Sequence, residues 1–258
     1  MAAPSKLNDL AKKLKSLHVS GQPLLLANVW DAASAQIIAS QKSTKALATA
    51  SFAIAATQGI EDNDMTLEPN LAGIKNVVAG LKKAGKADSI PLTADLQDGY
   101  ADPARTVQEA IKLGVVGCNM EDVDNQHGKL RTAEEAVSRI RAVMEASKEA
   151  GVPDFVINAR VDVLGYGGNI DDVIERGKQS LDAGATTVFV WGVLKWDIKE
   201  DEVQRMVDAF GGRLAVQPGS IGVQKLSDLG VSRISVGPML WRKSMSVLVD
   251  EAVQMKLL

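Results

Sequence analysis

The chain has 258 residues, 46% of them hydrophobic and 24% charged, and its formal net charge is −3 at pH 7. This is a globular composition, long enough for one large core or two small ones, and it lacks the clustered basic surface that nucleic acid or an anionic membrane would require of a partner. The single cysteine, Cys118, excludes an internal disulfide and a CxxC metal cluster.

The N-terminal stretch MAAPSKLNDLAKKLKSLH has no long apolar run, so it is not a secretory signal. A basic transit helix is the other reading, but the stretch lacks Arg and contains Asp9, which favours an ordinary first helix and a cytoplasmic protein. The lysines of AKKLKSLH and LKKAGK fit the wet faces of helices. Strand one is predicted at 24–29 and is followed by the helical DAASAQIIAS. Strand two, 45–51, leads into a long polar loop at 57–70 and the helical LAGIKNVVAGLKKAG. Strand three, 90–95, precedes PARTVQEAIKLG, which opens on Pro and stops at Gly as helices prefer. Strand four, 115–121, precedes TAEEAVSRIRAVMEASKEAG, where Thr132 and Glu135 have capping-box spacing. Strands at 155–160, 186–191, 213–217 and 233–237 each precede a further helical pattern, the last being MLWRKSMSVLVDEAVQMKLL. No apolar run approaches the ~20 residues of a membrane-spanning helix.

Most of these strands are almost continuously apolar, the pattern of parallel strands covered on both faces. Eight of them alternating with eight helices predict one (β/α)8 TIM barrel domain over 1–258. A doubly wound sheet is the alternative, but it rarely uses eight evenly spaced units.

In such a barrel the active site forms at the C-terminal strand ends. Those ends carry Asn28, Trp30 and Asp31, then Thr49 and Ser51, then Asp95 and Gln97, then Asn119, Glu121 and Asp122, then Asn158, Arg160 and Asp162, then Trp191, Gln217 and Gly237. Asp95 and Glu121 lie on neighbouring strands and can face each other, and Asp62 can join them from the loop after strand two. Facing carboxylates repel unless a cation sits between them. Mg²⁺ is one solution, since it prefers oxygen ligands and keeps several waters. Arg160 can clamp a substrate carboxylate. The competing reading makes Asp95, Glu121 and Arg160 a structural ion-pair cluster without metal. Asp98 and Asp102 read as loop and cap residues without chemistry.

TADLQDGYAD, GCNMEDVD, NARVDV and RISVGPMLWR together resemble the isocitrate lyase and phosphoenolpyruvate mutase superfamily, above all its short carboxyvinyl-carboxyphosphonate phosphonomutase-like members, over residues 22–245. The resemblance implies a barrel that binds Mg²⁺, with Mn²⁺ a possible substitute, and an α-oxo acid or its enolate. Such enzymes make or break C–C, P–C or C–O bonds, as lyases, hydrolases or mutases. It also implies a homodimer or homotetramer with the last helix swapped between subunits. Residue by residue, Asp95 falls on the direct metal ligand and Gln97 on a second acidic position. Glu121 and Asp62 fall on carboxylates that assist metal and catalysis. Thr49, Ala50 and Ser51 fall on the loop that holds the substrate carboxylate, and Arg160 on the arginine that contacts substrate. Trp30 falls on an aromatic near that carboxylate, and Asn158 is grouped with the substrate-binding residues.

Two departures stand out. Gln97 is neutral where many short relatives carry Glu. The family lyases place a K-[KR]-C-G-H signature after the ED pair, whereas EDVDNQHGKLRT has no cysteine there. That absence argues against an isocitrate or methylisocitrate lyase. Cys118 reads as a small core residue, His18 as inert, and His127 as either a loop acid–base group or a solvated histidine. QPGSIG and SVGP can be a phosphate site or simple turns, and Lys195 a Schiff-base lysine or a surface lysine. The expected chemistry is Mg²⁺-assisted formation or protonation of a pyruvate-type enolate. The alternative is a catalytically idle relative that binds a small dicarboxylate or serves as an oligomeric scaffold.

Overall fold

The computed structural model describes residues 4–191 and 197–257. Eight parallel strands close into a barrel: β1 (Leu24–Val29), β2 (Leu47–Thr49), β3 (Leu92–Asp95), β4 (Gly117–Glu121), β7 (Val156–Val161), β8 (Thr187–Val190), β9 (Leu214–Val216) and β10 (Arg233–Ser235), which returns to β1. The predicted TIM barrel is borne out. Every predicted strand is present, most of them shortened by one or two residues at their ends. Apart from Leu25 and Ala27 on β1, the strands keep their apolar side chains buried on both faces, against the lumen and against the surrounding helices.

Helix α1 (Pro4–Ser16) packs at the N-terminal ends of β4 and β7 and buries Leu7, Leu10, Ala11 and Leu14. Gly117 is required there, because a Cβ would stand 2.9 Å from Leu14 Cδ2 and 2.8 Å from the Val156 carbonyl. The ring of helices comprises α2 (Ala32–Ala39), α4 (Leu67–Lys83), α5 (Pro103–Leu113), α6 (Ala133–Glu149), α7 (Ile170–Asp182), α8 (Glu200–Phe210), α9 (Val223–Asp228) and α10 (Met239–Gln254). Their ends follow the expected chemistry. Asp102 accepts from the N–H groups of Ala104 and Arg105 and caps α5, whose C-terminus is closed by left-handed Gly114 at φ 104°. Thr132 and Glu135 form the capping box of α6.

Three segments differ from the sequence-based expectation. Strand two stops at Thr49, and Ser51 already begins a short helix, α3 (Ser51–Thr57). The loop at 57–70 is only partly a loop: it contains a 3-10 turn at Asp62–Asp64, and α4 starts at Leu67. Between β4 and α6 a small hairpin, β5 (Val123–Asp124) with β6 (Lys129–Leu130), stands outside the barrel. Helix α10 buries none of its residues, and Leu25 on β1 is 54% exposed. Among the described residues, no helix is long and apolar enough to cross a membrane.

Candidate active site

The residues that end β2, β3, β4 and β7 meet at one mouth of the barrel. Asp95 closes β3. Its Oδ2 accepts from the backbone N–H of Ser51 at 3.2 Å and from the Ser51 hydroxyl at 3.1 Å. Its own N–H donates to Thr49 Oγ1 at 2.8 Å, and its carbonyl accepts from Asn70 at 2.9 Å. Oδ1 of Asp95 is buried and has no partner in the protein. Gln97, two residues on and left-handed at φ 50°, donates its amide to the Asp62 carbonyl at 2.9 Å and to Asp62 Oδ1 at 3.1 Å. Asp62 is thereby brought to the mouth, as expected. Burial first, and the neighbouring Asp95 charge second, push its carboxyl above the usual range.

Glu121 does not face Asp95 alone. Its Oε1 lies 2.5 Å from Arg160 NH1, and its Oε2 accepts from Asn125 at 2.9 Å. Burial raises the Glu121 carboxyl; the Arg160 cation opposes this, while the charges of Asp95 and Asp162 reinforce it. Arg160 donates through Nε and NH2 to Asp162, at 2.9 and 2.7 Å, and lies 4.4 Å above the Trp191 ring. Burial works against its charge, but Asp162 and Glu121 outweigh burial and hold the guanidinium firmly protonated. Behind it, the Asp162 N–H donates to Asp122, which Arg176 pairs at 3.2 Å. Burial, then the Asp162 charge, pushes Asp122 up to about 6.

The other residues singled out in the sequence have the following surroundings. Asn158 is fully buried and sits two residues below Arg160 on β7. It donates to Asn119 Oδ1 at 2.8 Å and accepts from Thr187 at 2.6 Å, so it braces the barrel interior instead of facing a ligand. Thr49 turns its hydroxyl to the Asp95 backbone, and Ala50 is the extended residue that starts α3. The side chain of Trp30 packs partly buried against the core. The phosphate alternative loses donors, because the N–H groups of Val236 and Gly237 both point to Asn28 Oδ1, at 3.1 and 2.9 Å. Cys118 is wholly buried in the core, where burial raises its thiol far above the ordinary range. His18 is also enclosed: its Nδ1 meets the Leu14 carbonyl at 2.9 Å, and burial, then the Arg233 charge, lowers it to about 3. Asp98 is structural, paired with Arg131 at 2.6 Å. His127 lies in the turn of the hairpin, solvent-exposed, with Nδ1 2.9 Å from Asp124. Lys195 lies outside the described residues.

Residues 14–256 match the sequence profile of the phosphoenolpyruvate phosphomutase family. The chain belongs to that family. A Burkholderia cenocepacia J2315 protein assigned to the phosphonomutases is 32% identical, with a TM-score of 0.86 over 97% of this chain and 99% of that one. The 2-methylisocitrate lyase of Shewanella oneidensis is 29% identical over 196 residues, 72% of this chain and 63% of that protein. Phosphonopyruvate hydrolase, solved with oxalate and Mg²⁺, shares the fold at a TM-score of 0.80 and 20% identity, covering 96% of this chain and 87% of that one. The family and its neighbours are lyases, mutases and hydrolases, and this phosphomutase-family chain is an enzyme of that superfamily.

The donor set of this family member suits a hard divalent ion. Among the described residues no three Asp, Glu, His or Cys side chains converge into a cage for a metal. Mg²⁺ needs none, because it binds through one or two carboxylates and keeps its waters. The unpartnered Oδ1 of Asp95, beside two carboxylates whose proton affinity is raised, is the arrangement such an ion would satisfy. Sequence reasoning missed Asp162 as the holder of Arg160. The signal was available, since residues two apart on a strand share a face. Asn125 carried no such signal, because only the hairpin brings it back to Glu121.

Proposed function

We propose that this enzyme binds Mg²⁺ and a pyruvate-type α-oxo acid at the mouth of the barrel and makes or breaks a C–C, C–O or P–C bond through the enolate. The carrying observation is the unpartnered, buried Oδ1 of Asp95 beside the Glu121–Arg160 pair. Asp95 would be the direct protein ligand of the metal, with Asp62, Gln97 and Glu121 acting through water. The metal would supply a fixed divalent charge where negative charge develops. Arg160, held still by Asp162 and Trp191, would orient the substrate carboxylate, which its guanidinium recognises in two-pronged fashion. The Thr49–Ser51 turn keeps Asp95 oriented through the Ser51 N–H and hydroxyl. The Glu121 carboxyl, pushed up to about 8 by burial, is suited to hold or move a proton near neutral pH, and Asp62, also raised by burial, lies beside it at the mouth.

A second reading, a family member that binds but does not turn over, has one observation in its favour. Gln97 spends its amide on Asp62 and brings no charge to the metal. The deciding experiment is Mg²⁺-dependent turnover of a panel of oxaloacetate, substituted malates, 2-methylisocitrate and phosphonopyruvate, each with and without EDTA. Turnover of at least one, abolished by EDTA, is expected. Mg²⁺ binding without turnover of any would favour the second reading.

A further inference from the structure

Arg233, the first residue of β10, is 1% exposed. Its NH2 donates to Asn119 Oδ1 on β4 at 3.3 Å. Strands β4 and β10 stand on opposite sides of the barrel, with three strands between them either way round, so this side chain crosses the lumen. Its Nε and NH1 are buried without a partner, and among the described residues it forms no ion pair. Burial lowers the guanidinium to about 10, with Cys118 and Asp95 opposing, and it stays charged at neutral pH. A buried cation with no carboxylate on it is costly. That cost falls directly beneath the candidate site. Asn119 is the register partner of Asp95 on the adjacent strand, and such partners share a face of the sheet. The guanidinium therefore ends near Asp95 without bonding to it, since Oδ1 of Asp95 has no partner and Oδ2 accepts from Ser51.

We propose that Arg233 is a positioning residue of the active site that acts through its charge: from inside the lumen it opposes the metal at Asp95 and favours an anionic ligand, and the enolate charge, at the mouth. This rests on the reading of the mouth as a Mg²⁺ and oxo-acid site. It adds to Arg160 a second cation that acts without touching the ligand. A unit charge in a desolvated lumen is weakly screened by salt, and it acts with opposite sign on a cation and on an anion. A side chain that only filled space or braced the wall would change both affinities in the same direction.

The test is calorimetric titration of the full chain with Mg²⁺ and then, at saturating Mg²⁺, with oxalate, a stable dianion with the charge of the pyruvate enolate. Arg233→Met and Arg233→Gln remove the charge, whereas Asn119→Ala removes the hydrogen bond and keeps the charge. Circular dichroism confirms folding. Both neutral Arg233 variants should bind Mg²⁺ about tenfold more tightly than the parent and oxalate about tenfold more weakly. Asn119→Ala should match the parent in both titrations. Two Arg233 variants keep the test decisive if one does not fold. Affinities that move in the same direction in the neutral variants, or do not move, overturn the proposal. Opposite shifts of the same size in Asn119→Ala overturn it too, because they assign the effect to the hydrogen bond. The parent separates the two levels. A parent that binds both ligands, with neutral variants that match it, rejects the role of Arg233 alone. A parent that binds no Mg²⁺, or no oxalate with Mg²⁺ present, rejects the oxo-acid reading and this proposal with it.

Discussion

Asp95 and Gln97 divide the work at the end of β3 between a charge and an amide. Asp95→Ala should abolish measurable Mg²⁺ binding in calorimetric titration while leaving the far-ultraviolet circular dichroism unchanged, because the residue stands at the mouth and not in the core. Gln97→Glu should tighten Mg²⁺ by up to about tenfold, since it adds a negative charge in a partly desolvated site. In the metal-free protein the same change should lower thermal stability, because it sets a second carboxylate where the amide now donates to Asp62. Glu121 carries a pH dependence of definite sign. Its carboxyl is raised from 4.5 to about 8 in the folded state, so between those values the native protein binds more protons than the unfolded chain and loses stability as pH rises, with no further loss above about pH 8. His18, lowered to about 3 from 6.5, acts only below about pH 6.5, where it removes stability as pH falls. Thermal midpoints of the metal-free protein should therefore decline between about pH 6.5 and about pH 8, and less steeply in Glu121→Gln. Asp95, Glu121 and Arg160 were legible because each charge follows an apolar run, and such a charge at a strand end needs a reason. Asn158 was read from the same signal, and its amide is engaged by Asn119 and Thr187 inside the barrel. Sequence alone does not tell the last lumen-facing layer from the one beneath it, and Asn158 lies in the lower.

The helices were legible from their punctuation, with Pro103 and Gly114 bracketing α5 and Thr132 with Glu135 opening α6. Helix α3 and the β5–β6 hairpin were not. SFAIAAT is only seven residues long and has no side-chain cap at Ala50, so Ser51 was read as the end of strand two and the residues after it were given no element. The hairpin strands have two residues each, too few for any periodicity. Helix α10 was expected at its observed place, but its packing is the telling feature. It has no buried residue, Leu248 is 63% exposed, and Leu25 on β1 is 54% exposed. Apolar surface of this kind marks an association site. The proposal is a homodimer or dimer of dimers in which α10 covers a partner subunit. Light scattering at micromolar concentration should give at least a dimer, and Leu248→Asp should shift the population toward monomer.

At the scale of the whole molecule, the barrel was legible because strand and helix patterns alternate without interruption; the reaction was not, because lyases, mutases and hydrolases share this fold and, in the proposed chemistry, a few side chains choose the bond. The hairpin segment EDVDNQHGKLRT lacks the cysteine signature that a lyase of this superfamily was expected to carry, and the proposal is that this chain is not an isocitrate or methylisocitrate lyase. Incubation with isocitrate or 2-methylisocitrate should therefore release no substantial glyoxylate or pyruvate by NMR, even though a 2-methylisocitrate lyase is 29% identical over 196 residues. Asn28 has a consequence of a different kind. Its amide donates to the Thr49 carbonyl at 2.7 Å, and its oxygen accepts from Val236 and Gly237, residues 208 and 209 positions further along the chain. One side chain thus laces the seam where the first strand meets the last. Loop closure over such a span is slow. On the ribosome the seam stays open until Gly237 has emerged, and the early strands wait as an incomplete sheet with two free edges. The amides of Val236 and Gly237, although they lie beyond the end of a strand, should exchange with deuterium as slowly as the strands themselves, and Asn28→Ala should release them first.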